Sequence, residues 1–212
     1  MIRKTLYWIK KKIAARNRTF QSYFEHQPCT IISCNCIGGL LYHDYHEQFL
    51  SPTIDLYIKS PDFIKFVRNL KEYISYDLID ATGDSKFPIG RLGDIQIFFL
   101  HYSSFAEAKE KWDRRKKRIL YHRIFVIMSD RDEFTPDLVD DFLNLPYKKV
   151  LFSHKDYQHP EIVFVKKDRN KRMVDDLTKY INTRGTKVYE YYFDFDKWLT
   201  GNFETGDCKY ER

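Results

Sequence analysis

The sequence predicts an α/β protein built as a three-layer, mostly parallel sheet with helices on both faces, plus a basic N-terminal helix. Three observations lead there. Short, uncharged, β-branched runs recur, at Thr30-Ile31-Ile32, Ile124 to Met128 and Val150 to Phe152, of the kind buried on both faces of a sheet. Segments with helical apolar spacing and capping signals fall between them, which is the alternation of a parallel sheet. Finally, 212 residues at 43% hydrophobic and 17% aromatic content supply one ordinary-sized core and exclude a disordered chain.

Charge divides the chain. Residues 1–24 carry Arg3, Lys4, Lys10, Lys11, Lys12, Arg16 and Arg18 and no acid; against a net +6 overall, this leaves −1 for the remaining 188 residues. A near-neutral body with a basic arm argues against a general nucleic-acid binder, whose footprint would cross the fold. The expected organisation is a basic amphipathic helix over 1–27, one α/β domain over 28–203 and a tail over 204–212. Four cysteines (Cys29, Cys34, Cys36, Cys208) are too few and too clustered for a disulfide scaffold and suit a reducing cytosol. Cys34-Asn35-Cys36 is too tight for a zinc knuckle, and no metal site is expected there. No run reaches the ~18–20 uncharged apolar residues of a membrane span, and Lys10, Lys11 and Lys12 interrupt any signal-peptide core.

In order, Leu6, Ile9, Ile13 and Phe20 recur at helical spacing in the arm, beside Tyr7 and Trp8. Such a helix either lies on an anionic membrane surface or packs on the domain with solvated lysines. Pro28 admits the first strand, which breaks into Ser33-Cys34-Asn35-Cys36 and Gly38-Gly39 before a helix. Ser60 is expected to cap the next helix, with Pro61 at its first helical position and Phe63, Phe66, Val67, Leu70 and Ile74 on its apolar face. Phe87 to Asp94 is a turn-rich connection, and Ile95 to Leu100 reads as a buried strand ending at His101-Tyr102.

Ser104 to Glu107 is a capping box. Its helix carries Phe105, Ala108, Trp112 and Ile119 inward and a run of cations from Lys109 to Arg118, either a solvated face or a contact for phosphate. Ile124 to Met128 runs into Ser129-Asp130-Arg131-Asp132, then a helix from Thr135-Pro136 to Leu145. Val150 to Phe152 ends at Ser153-His154, and Ile162 to Val165 is a further strand. A polar helix near Arg172 to Asn182, a strand-like or irregular segment from Thr186 to Phe193 and a short helix from Phe195 to Leu199 complete the chain.

Four strands thus end in polar clusters: Ser33 to Cys36, His101-Tyr102, Ser129 to Asp132 and Ser153-His154. The carboxyl ends of parallel strands share one edge, where open α/β folds bind ligands. The expected catalytic set is therefore Cys36, His101, Asp130 and His154 around one cleft. Structural readings compete: the glycines serve turn dihedrals, Asp130 caps a helix and His101 is a hydrogen-bonded core residue.

The same segments, with Ser51-Pro52-Thr53, Pro88-Ile89-Gly90-Arg91-Leu92-Gly93-Asp94 and Phe195-Asp196-Lys197-Trp198-Leu199, resemble one bacterial family from about Thr30 to Gly201. That family is described as exopolysaccharide biosynthesis proteins, built on a domain of unknown function (number nineteen-nineteen). Its first motif reads Asn-Asn-Cys-Trp-Gly-Gly; Cys34 and Ile37 stand here in place of the first Asn and the Trp, so Asn35 and Cys36 are the retained positions.

The resemblance implies exopolysaccharide or capsule assembly, with Ser33, Asn35, Gly38, Gly39, Ser51, Thr53, Gly90, Arg91, Asp94, Tyr102, Arg131 and Asp132 as substrate-binding candidates. A shorter similarity to a capsule-biosynthesis acetyltransferase-like family, limited to strand then Gly-Asn-Cys-Gln, implies acyl transfer to a sugar with a coenzyme A thioester as donor. In that reading Cys36 is activated by His101 or His154, with an oxyanion pocket from Asn35 and the Gly38-Gly39 amides. The alternatives are glycosyl or phospho-sugar transfer, with Asp130-Arg131-Asp132 holding a divalent cation, and a non-catalytic scaffold recruited to the membrane by the arm. The partners implied are a sugar or lipid-linked glycan and an anionic membrane surface, with no nucleic acid. The expected location is the cytoplasm, peripherally on the inner face of the cell membrane.

Overall fold

The computed structural model describes residues 27–201. The expected basic helix, the C-terminal tail and Cys208 lie outside them. Strand β1 (Thr30–Ser33) leads through Cys36 into helix α1 (Ile37–Asp44), then α2 (Ser60–Arg68) and α3 (Leu70–Ser75). Strands β2 (Ile79–Asp80), β3 (Ile89–Leu92) and β4 (Ile95–Phe98) follow, then α4 (Phe105–Lys116), β5 (Ile124–Ser129) and α5 (Leu138–Leu143). The chain continues as β6 (Lys148–Ser153), β7 (Ile162–Phe164), a 3₁₀ turn at Lys166–Asp168, α6 (Val188–Tyr192) and α7 (Phe195–Thr200).

The expected parallel sheet is present: β1, β5, β6 and β7 pair in that order and all in parallel. Alternation along these strands divides the core. Ile32, Val126, Met128 and Leu151 face a layer containing Phe63 and Phe66 of α2, Trp112 of α4 and Phe142 of α5. Ile31, Phe125, Ile127, Val150 and Phe152 face the opposite layer, with Tyr42 of α1, Tyr189 of α6 and Trp198 of α7. Two apolar faces on one sheet require helices on both sides, so the three layers follow from the strand composition.

One expectation about topology is corrected. Ile95 to Leu100 is not a member of the parallel sheet. Its strand, Ile95–Phe98, closes an antiparallel sheet with β3 and β2, turning at Gly93, which has φ 62°. A two-residue Gly-Asp connection favours a tight hairpin, and hairpin pairing satisfies both strands locally.

Four local readings also change. Ser60 does not cap α2: its hydroxyl donates to the Arg131 carbonyl at 2.6 Å, and Lys59 occupies the cap position. The α4 box forms in part, since Ser104 Oγ accepts the Glu107 amide at 3.2 Å while Glu107 accepts from Ser103. No helix covers Arg172 to Asn182; Asp168, Asp175 and Asp176 accept nearby backbone amides there, an alternative to helical bonding. Val188–Tyr192 is helical rather than strand-like or irregular.

The α4 cations form the solvated face. Lys109 pairs with Asp113, Lys111 with Glu107 and Arg114 with Glu110, each four residues apart, while Arg115 turns inward onto the Tyr102 hydroxyl at 2.6 Å. No helix among the described residues is long and apolar enough to cross a membrane.

Candidate active site

The parallel sheet brings the ends of β1, β5 and β6 to one edge, and the most ordered polar arrangement there is centred on Asp130. Immediately after β5, its side chain is 1% exposed. A buried carboxylate needs donors, and this one has four. Oδ2 accepts Ser153 Oγ at 2.8 Å, the His154 amide at 2.7 Å and His154 Nδ1 at 2.5 Å; Oδ1 accepts the Val174 amide at 2.8 Å. Register makes this possible, because Ser129 pairs with Phe152 and the Asp130 amide bonds the Phe152 carbonyl at 3.0 Å.

The pair defines His154 chemically. With Nδ1 held on a carboxylate, the ring's proton sits on Nδ1 and its lone pair on Nε2. The His154 side chain is 14% exposed, and Nε2 has no hydrogen-bond partner among the described residues. A buried carboxylate, an oriented imidazole and an available nitrogen form the general-base half of an acyl-transfer triad.

Ser33, Asn35 and Ser129 join the neighbouring strand ends. Asn35 Oδ1 accepts the Ile37 amide at 3.0 Å and the Ser33 hydroxyl at 3.2 Å, while its Nδ2 donates to Ser129 Oγ at 3.2 Å. Cys34 Sγ lies 3.9 Å from the same Ser129 oxygen. The amides of Gly38 and Gly39 then stand as unbonded donors in the first turn of α1, as helix starts leave them. Both glycines also permit close packing: a Cβ on Gly38 would lie 3.0 Å from Ser33 Cβ, and one on Gly39 3.2 Å from Ile54 Cγ2.

Cys36 reaches this region without a histidine partner. Burial first, then the carboxylates of Asp55 and Asp176, push its thiol from an ordinary 9.0 up to about 11. That is the direction opposite to the one a thiolate nucleophile requires. His101 follows β4 of the antiparallel sheet and is exposed, so its strand does not deliver it to the parallel edge.

Several other candidates have structural work. Ser51 and Thr53 hydroxyls lie 3.0 Å apart, and Thr53 Oγ1 accepts the Ser33 amide at 3.0 Å, satisfying the outer edge of β1. Tyr102 is buried, donating to the Ile54 carbonyl at 2.7 Å. Gly90, Arg91 and Asp94 lie in the β3–β4 hairpin: a Cβ on Gly90 would lie 2.6 Å from Leu78 Cδ1, Arg91 is exposed, and Asp94 accepts from Tyr73 at 2.6 Å and Lys65 at 3.1 Å. An open cleft of about 480 Å³ lies beside that sheet, between the Asp80 to Pro88 loop and the turn at Ser103 to Phe105. None of the carboxyl-edge residues lines it, so its size does not bear on the dyad.

Arg131 and Asp132 remain at the edge. Arg131 Nη1 donates to the Val174 carbonyl at 3.0 Å. Asp132 and Glu133 both have left-handed backbone, φ 52° and 69°, held by the Ser60 amide on the Asp132 carbonyl at 2.8 Å. Burial, the larger cause, raises the Asp132 carboxyl above its ordinary value despite the opposing Arg131 charge. Consecutive non-glycine residues in that region store strain, a feature that collects at functional sites.

Sequence reasoning did not find Ser129's link to Asn35, Asp55 and Asp176 beside Cys36, or Val174 over Asp130. Positive φ at Asp55 (58°) has no composition signal, and the Val174 contact spans 44 residues. Among the described residues no group of three or more His, Cys, Asp and Glu is arranged to hold a metal ion.

The fold and site define an α/β protein with a buried Asp–His pair at the carboxyl edge of a parallel sheet. The chain belongs to the family described as "Domain of unknown function (DUF1919)", which matches residues 9–200. An uncharacterized protein of Haemophilus influenzae is 36% identical over 185 residues, covering 86% of this chain and 89% of that relative.

Proposed function

We propose that the protein is a transferase of exopolysaccharide or capsule biosynthesis, moving an acyl group onto a sugar hydroxyl with His154 as general base. The supporting observation is the 2.5 Å contact between His154 Nδ1 and the buried Asp130 carboxylate. His154 Nε2 takes the proton as the sugar oxygen attacks the acyl carbonyl of a thioester such as that of coenzyme A. The carbon–sulfur bond breaks, and the proton held on Nε2 passes to the leaving sulfur. Asp130 stabilises the imidazolium between these transfers. The Gly38 and Gly39 amides are the donors suited to the developing oxyanion. Transfer is direct, since the raised thiol of Cys36 makes a poor nucleophile.

The phospho-sugar alternative needs Asp130 as a cation ligand, but both of its oxygens already accept protein donors. The reading puts the protein at the cytoplasmic face of the membrane, where the cations of residues 1–24 would attract anionic lipid.

The test is thiol release from acetyl-coenzyme A in the presence of oligosaccharide acceptors, together with polysaccharide acyl content in a deletion strain complemented with each variant. Wild type should release thiol and restore acylation, and His154→Ala should do neither. Acylation by His154→Ala at the wild-type level would refute the proposal.

A further inference from the structure

The loop from Lys166 to Arg172 is a dense run of cations that lies outside any α-helix. It reads Lys-Lys-Asp-Arg-Asn-Lys-Arg, a net +4, whereas the chain beyond residue 24 sums to −1 with the loop included, so residues 25–212 without the loop sum to −5. Its position is as specific as its charge. At one stem, the Val165 amide bonds the Ser153 carbonyl at 2.7 Å, next to His154. At the other, the Val174 amide bonds Asp130 Oδ1 at 2.8 Å. One stem is therefore tied to Asp130 and the other to the residue before His154, so the segment between them starts and ends beside the dyad.

The loop is internally braced. Asp168 is buried, with its carboxylate 2.6 Å from Lys171 Nζ and 3.6 Å from Lys167 Nζ, and it accepts the Asp175 amide at 2.9 Å. The 3₁₀ turn at Lys166–Asp168 and the Lys171–Asp168 backbone bond of 2.8 Å complete the bracing. Two cations are thus spent on the fold. Lys166, Arg169 and Arg172 are exposed and have no ion-pair partner among the described residues, and Lys155, directly after His154, is in the same condition. A solvated charge run tends to recruit acids at helical spacing, as α4 does. This one is clustered, braced and left open beside the base.

We infer that Lys155, Lys166, Arg169 and Arg172 form a binding site for the diphosphate group of the substrate that reaches His154. Several cations converging on one polyanion is how diphosphates are held, with the arginine forks matching phosphate geometry. This deepens the acyl-transfer reading but does not depend on it. Two sources share the chemistry: the diphosphate of coenzyme A, and that of a polyprenyl carrier of the glycan.

The experiment is calorimetric titration of the full chain with inorganic pyrophosphate, followed by competition with coenzyme A and with farnesyl diphosphate. Wild type and His154→Ala should bind pyrophosphate alike, because binding needs no proton transfer. K166E/R169E/R172E should bind at least about tenfold more weakly, as loss of charge-assisted contacts requires. K71E/K86E/K117E, with the same charge change on exposed lysines elsewhere, should stay within about twofold, the residue of long-range attraction after screening. Circular dichroism on each variant checks folding. Displacement by either organic diphosphate supports the site and names its source. Equal weakening by both triple variants, or displacement by neither compound, overturns the inference. Pyrophosphate binding through the loop without thiol release from acetyl-coenzyme A would sink acyl transfer while the diphosphate site stood.

Discussion

Asp130→Asn tests the centre of the site with almost no change of shape. The carboxylate accepts three donors on Oδ2 and one on Oδ1. A carboxamide has one acceptor oxygen, so it can replace only one side. Keeping its carbonyl toward Ser153 and His154 sets its NH₂ against the Val174 amide, donor to donor, where the side chain is 1% exposed. A lost bond to a charged group is worth about 1.5–3 kcal/mol and a buried orphan donor about 1–3 kcal/mol, overlapping rather than additive, so about 2–4 kcal/mol of stability should go. At this chain length that lowers Tm by roughly 5–15 °C. The reverse rotamer donates NH₂ to His154 Nδ1 and forces the imidazole proton onto Nε2, removing the base. Transfer should fall by about 10²–10⁴-fold in either case. Urea unfolding followed by fluorescence of buried Trp112 and Trp198 reads the first effect, and ¹⁵N shifts of the His154 ring read the second. An Asp130→Asn protein within about 0.5 kcal/mol of wild type, with an unchanged tautomer, would refute the account of a buried, fully engaged carboxylate.

Four further outcomes are expected. With its thiol at about 11 against an ordinary 9.0, Cys36 should react with iodoacetamide at neutral pH about 100-fold more slowly than a free thiol, yet faster than Cys29 or Cys34, which burial pushes to about 12; a Cys36 as fast as free cysteine would contradict this. Because these folded values lie above the unfolded one, the stability they confer is full below pH 9 and declines as pH rises toward 11 to 12, which unfolding free energies across that range will show. Gly38→Ala places a Cβ 3.0 Å from Ser33 Cβ and 3.3 Å from Ile31 Cγ2, so crowding of about 1–3 kcal/mol should outweigh the helix gain of about 0.5–1 kcal/mol. A variant as stable as wild type would show that the interface yields. Thr53→Val strands the Ser33 amide at the outer edge of β1 and should cost about 1–3 kcal/mol; hydrogen exchange at Ser33 is the direct measurement, and unchanged protection would discount the contact.

The resemblance noticed in the segments from Thr30 to Gly201 pointed to the domain that the family match shows over residues 9–200. Within the site, Asp130 and His154 were both legible because each directly follows an uncharged β-branched strand, and parallel strands bring such positions to one edge. His101 follows a similar run, but that run pairs in the antiparallel sheet. Ile95–Phe98 differs from β5 in its exposed Gln96, and with the Gly93-Asp94 turn this distinguishes a one-sided hairpin strand from a crossover. Cys36 was legible as a position but not as chemistry, since its ionisation depends first on burial and then on Asp55 and Asp176, one left-handed in its backbone and the other 140 residues away.

The sequence by itself determined the layers. Runs such as Phe125 to Met128 present apolar groups to both sides at a period of two, and no arrangement hides both faces except helices above and below. It also determined that polar residues end those runs, although Ser33, Ser129, Asp130 and Ser153 stay buried. The tertiary structure decided which of those ends meet. Strand register set Asp130 beside Ser153 and His154, and the return of the chain at Val174 supplied the fourth donor. Such contacts are distance conditions between residues far apart in the chain, and local periodicity carries no distance. The same holds for the cations from Lys166 to Arg172: their number is written in the sequence, but only the two stems at Val165 and Val174 bring the ends of their loop beside the Asp130–His154 pair.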